Sequence, residues 1–98
     1  MINNIYVAPN KKTEKKTLEE LVKKSFAENE KVRFIFDLKN ETITIDSIKN
    51  FSDIFDKFKD ETKQKLVETC VIIQDKLSAA VFKKGLDMVK LDKPVKII

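Results

Sequence analysis

Between Val32 and Phe58 the apolar spacing of the chain changes character: VRFIFDLKNETITIDSIKNFSDIFDKF. Val32, Phe34, Phe36 and Leu38 recur at a period of two, which puts four large side chains on one face of a strand. The other face carries Arg33, Ile35 and Asp37, so the sheet is well covered on one side and partly on the other. From Ile48 the period becomes helical, with Phe51, Ile54, Phe55 and Phe58 completing one stripe. In between, Ile43 and Ile45 alternate with Thr42 and Thr44, as a short strand or as a connection anchored in the core. Asp46 and Ser47 both suit an N-cap, so the spacing predicts a helix from there to about Lys63.

The flanks repeat this alternation. Ile2 to Val7 reads as a strand ended by Pro9, which cannot donate to a sheet ladder. Asn10 to Lys16 reads as a solvated loop. Thr17-Leu18-Glu19-Glu20 has the form of a capping box, and Leu18, Leu21, Val22 and Phe26 follow at helical spacing to near Glu30. Leu66 to Gln74 contains Cys70-Val71-Ile72-Ile73 and predicts a central strand buried on both faces. Asp75 or Ser78 would cap the next helix, with Leu77, Val81, Gly85, Met88 and Val89 along one side. Gly85 lies within that helix or divides it. Pro94 opens a closing strand over Val95 to Ile98. The order β-α-β-α-β-α-β predicts one α/β domain over residues 1–98, built on a mostly parallel four-stranded sheet.

Composition narrows the chemistry. The 98 residues include no His, one Cys and one Gly. Ser-His and Cys-His nucleophile pairs, His-metal sites, multi-thiolate sites and glycine-rich phosphate loops are therefore excluded. The expectation is a chain with no enzymatic activity, no cofactor and no metal. Two carboxylate pairs remain, Asp53 with Asp56 and Asp37 with Asp46. The first falls on the polar side of a helix, where a solvated surface is the simpler reading. Cys70 leads into an apolar run and reads as an inert buried thiol, consistent with a reducing, cytoplasmic compartment.

The net charge is +4, yet nineteen of the twenty basic residues are Lys and only Arg33 is Arg. Bidentate recognition of phosphate or guanine favours Arg, so this usage argues against a nucleic-acid reader. Lys11 to Lys24 is the one basic cluster that could meet an anionic partner. The longest apolar runs are four residues, too short for a membrane span.

Phe34-Ile35-Phe36-Asp37-Leu38, then Ile43-Thr44-Ile45-Asp46-Ser47, then the Phe51-Ile54-Phe55-Phe58 stripe follow a course that resembles the STAS domain. This is the family of anti-sigma factor antagonists and of sulfate-transporter tails. There a strand leads through a short connection to Asp-Ser-Ser-Gly-Leu at a helix start. The strand at Cys70 to Ile73 and the Gly85-Leu86-Asp87 step also fit the family's order, so the similarity covers about Leu18 to Ile98. The resemblance implies a regulatory, non-catalytic domain that docks a protein partner around Asp46, Ser47 and Lys49. Ile48 stands at the usual phosphoacceptor position and cannot be phosphorylated; Lys49 and Asn50 replace the Gly-Leu pair. The family's first edge strand and last helix have no counterpart here. A sheet left with open edges suggests the alternative of a structural or assembly subunit that pairs with another copy or a larger partner.

Overall fold

The computed structural model describes residues 2–9, 15–39, 43–89, 91 and 93–98. Its elements alternate as β1 (Asn3–Val7), α1 (Lys15–Glu28), β2 (Val32–Asp37), α2 (Ile45–Lys57), α3 (Lys59–Lys65), β3 (Leu66–Ile72), α4 (Lys76–Met88) and β4 (Val95–Ile97). The fold is α/β, with all four strands parallel in the order β1-β2-β3-β4.

That order has a geometric consequence. Each strand is added on the same side of the previous one, so crossovers of one hand carry every helix to the same face. The packing agrees. Val7, Val32, Phe34 and Phe36 cluster with Val22 and Phe26 of α1 and with Ile54 and Phe55 of α2. Val71 clusters with Ile48 of α2 and Phe82 of α4, flanked by Val95 and Ile97. Helix α2 lies between α1 and α4, in contact with both.

The alternate strand residues share the opposite face by register: Tyr6 beside Ile35, Ile35 beside Cys70, Cys70 beside Lys96. None of them enters the helix-covered clusters. Polar side chains bridge this open face. The Arg33 guanidinium donates to Glu68 Oε1 at 2.7 Å and to Asn4 Oδ1 at 3.2 Å, tying β1, β2 and β3 together. The expectation that the third strand is covered on both sides is thus corrected. Cys70 is still buried, but among its sheet neighbours rather than beneath a helix.

Phenylalanine fills the covered side. Phe34 meets Phe26 and Phe55 edge-on at 5.7 and 5.8 Å, and Phe51 meets Phe36 and Phe55 at 5.3 and 5.0 Å. Each such pair adds about 0.5–1.5 kcal/mol beyond its buried area. Phe82, outside the stripe expected for the last helix, is also core, at 3% exposure.

Several boundaries differ from those expected. Helix α1 already includes Lys15 and Lys16, so Thr17 lies inside it rather than capping it, and residues 10–14 lie outside the described residues. Its far end is closed from outside: Lys65 Nζ donates to the Phe26 carbonyl at 2.6 Å and Asn29 Nδ2 to that of Ser25 at 2.8 Å. These satisfy acceptors that a helix end leaves unpaired. The predicted second helix is two, α2 and α3, separated at Phe58, whose φ of −110° and ψ of 44° are not helical. In α4 the buried residues are Phe82 and Gly85, whereas Leu77 and Met88 are 77% and 61% exposed. The helix is rotated relative to the stripe expected, and Gly85 does not break it.

Candidate functional site

The turn into α2 is built by Thr44, not by Asp46 or Ser47. Thr44 is extended, at φ −125° and ψ 165°, and its Oγ1 accepts from the Ser47 amide at 3.1 Å. Its carbonyl accepts the first helical bond, from the Ile48 amide at 3.2 Å. Ile43 before the cap and Ile48 four residues after it belong to one apolar cluster, the arrangement of a hydrophobic staple. That spacing in the sequence was the signal for Thr44. The runs of good cap residues at 46 and 47 obscured it.

Asp46 and Ser47 therefore occupy the first helical turn. Both are exposed, as is Lys49. The Ser47 hydroxyl lies 3.0 Å from Thr44 Oγ1. The Asp46 carboxylate suits the positive end of the helix dipole. Ile48, between them, is 1% exposed and packs against Val71 and Phe82. Position 48 is thus an interior one. A β-carbon built on Gly85 would lie 2.2 Å from Ile48 Cδ1, so the single glycine lets α4 close on this side chain.

The carboxylate pairs part company. Asp53 and Asp56 are both exposed, and Asp53 pairs with Lys15 at 3.4 Å across α1 and α2. Asp37, at the end of β2, accepts from the Tyr6 phenol, from the Lys39 amide at 3.1 Å, and faces Lys39 Nζ at 3.6 Å. The phenol's hydrogen bond holds the Asp37 carboxyl below the usual carboxylate range, and the same bond pushes the Tyr6 phenol up. Neither group is poised to exchange a proton near neutrality. Burial also pushes the Cys70 thiol up, which disfavours the reactive thiolate. Among the described residues no three metal-binding side chains gather, and no helix is long and apolar enough to cross a membrane. Of the basic cluster, Lys15 and Lys24 are paired with Asp53 and Glu28, and Lys11 and Lys12 lie outside the described residues.

A cavity of about 190 Å³ opens beside this turn, which no sequence signal had suggested. It lies between α1 and α2 above the ends of β1 and β2, with Leu18, Val22, Phe36, Leu38 and Ile54 in its wall and Ser47 on its rim. Comparison with known family models, with curated proteins and with solved structures returned no match for the chain.

Proposed function

We propose that this chain is a non-catalytic, STAS-like regulatory domain that binds a protein partner through the first turn of α2. The supporting observation is the mounting of that turn. Asp46, Ser47 and Lys49 face solvent together, while Ile48 among them is fixed in the core. A short polar patch held this firmly loses little conformational entropy on binding, which favours recognition. A phosphate at Ser47 would add negative charge at the positive end of the helix. The buried, unpaired Cys70 suits a reducing cytoplasm.

The test is quantitative recovery of the native partner on tagged protein. Ser47→Asp and Lys49→Glu should each lower recovery at unchanged thermal stability, and Ser47→Ala should preserve it. Equal recovery by wild type and every variant would remove this turn from the interface.

The open sheet face favours a second reading, a packing subunit of a larger assembly. Parallel sheets are ordinarily covered on both faces, whereas here Tyr6 is 59% and Ile98 65% exposed. Light scattering on a sizing column separates the two. A stable monomer at micromolar concentration would count against assembly through copies of this chain.

A further inference from the structure

The cavity between α1 and α2 has the size and the lining of a ligand site. Protein interiors pack like organic crystals and seldom hold voids much larger than water. This one measures about 190 Å³, and Val22, Phe36, Ile54 and Phe55 in its wall are all at most 6% exposed. An engineered apolar cavity of about 150 Å³ stays dry and takes up benzene. Hydrocarbon walls give water too few partners, so an apolar body is the occupant that fits.

The cavity sits beyond the carboxyl ends of parallel strands, between Pro9 after β1 and Leu38 after β2. Its lining includes three exposed polar residues, Lys15, Ser47 and Asn50, which mark the mouth. Lys15 brings a positive charge there. Its pairing with Asp53 spans 3.4 Å between exposed side chains, a contact weak enough for a ligand carboxylate to replace.

We propose that this cavity binds a small amphipathic carboxylate, its single ring or short alkyl chain inside and its anionic end at Lys15. This stands independently of the partner-docking reading, because it rests on the cavity and the mouth charge alone.

Titration of isotopically labelled protein with 3-phenylpropionate, and with the neutral 3-phenylpropanol, tests it by amide chemical shifts. Saturable shifts should centre on Leu18, Val22 and Ile54, with a dissociation constant at or below about 1 mM. The carboxylate should bind about threefold more tightly than the alcohol, and Lys15→Met should erase that preference. Val22→Phe should fill the cavity and abolish binding of both probes. Should that variant fail to fold, Leu38→Phe, at a half-buried position, decides in its place. Absence of saturable shifts, shifts centred elsewhere, or binding undiminished in a folded filling variant would overturn the site. A carboxylate preference that survives in Lys15→Met would overturn the assignment of the anionic end.

Discussion

At the scale of single residues, Thr44, Ile48 and Gly85 decide how α2 begins and how closely α4 approaches it. Thr44→Ala removes the acceptor for the Ser47 amide and should cost about 1 kcal/mol, whereas Asp46→Ala should cost a few tenths. Denaturant midpoints of the two variants check this; the reverse ranking would return the cap to Asp46. Gly85→Ala has two opposed effects. Helix propensity favours alanine by about 1 kcal/mol, but the new methyl would overlap Ile48, which is 1% exposed and has little room to move. Overpacking costs about 1–3 kcal/mol, so the net effect is destabilising by on the order of 1 kcal/mol. Ile48→Val, which removes the clashing Cδ1, should rescue it, with a coupling energy of at least about 0.5 kcal/mol in a double-mutant cycle. The Tyr6–Asp37 pair and Asp75 set the pH response. Asp37 is depressed by the Tyr6 phenol, and Asp75 by the Ser78 amide that it caps at 2.5 Å. A depressed carboxyl contributes stability above its unfolded value and loses it as pH falls through the folded one. Tyr6 is raised, so its contribution is present below the ordinary phenol range and disappears as pH rises through the higher folded value. Melting temperature should therefore be flat from about pH 5 to 9 and fall on both sides. Tyr6→Phe should shrink both falls, leaving the raised Cys70 thiol on the alkaline side and Asp75 on the acid side; a profile unchanged by it would sink the pairing.

At the scale of elements, what was legible in the sequence depended on how many side chains vote. Strand β2 and helix α2 each offer four or five large apolar residues at a single period; β2 formed where that period placed it, and α2 did so as far as Lys57, ending before Phe58. Helix α4 offers two competing stripes. Leu77, Val81 and Met88 lie on the expected side, yet Phe82 is the buried one, with Leu86 and Val89 packed beside it, because Gly85 allows that side of the helix to close on Ile48. A contact between helices separated in sequence by a strand leaves no mark in local spacing. The division at Phe58 was hidden for a similar reason. Thr62, 3% exposed, donates from its hydroxyl to the Phe55 carbonyl at 3.3 Å, so α3 turns back on α2 through a side chain that reads as ordinary surface. Of the candidate site, the exposed Asp46, Ser47 and Lys49 could be placed at the start of α2 from the sequence. The cap residue was legible only through the Ile43–Ile48 spacing, which the stronger cap signals at 46 and 47 obscured, and the cavity was not legible, since it needs the separation of two helices.

At the scale of the whole molecule, the one-sided sheet is the property with the widest consequences. Apolar pattern predicted a parallel sheet but not which faces the helices cover, because Cys70 to Ile73 is as apolar as a strand buried on both sides. Strand order decides that, and order is not written in any one segment. The result gives adjacent residues of β2 different fates. Phe34 is fully buried beneath α1 and α2, and Phe34→Ala should cost about 3–5 kcal/mol. Ile35, next in the chain, lies on the open face between Tyr6 and Cys70. In an isolated monomer Ile35→Thr should cost less than about 1.5 kcal/mol, because β-branching is kept and none of the described helices packs above it. If the face is instead covered by another copy, the same change should separate the copies, and its stability cost should grow with protein concentration. Chemical denaturation of both variants at two concentrations, with light scattering alongside, reads all of these outcomes. A loss at Ile35 equal to that at Phe34, at every concentration and in a monomer, would mean that the sheet is covered on both faces within the chain, against the one-sided arrangement.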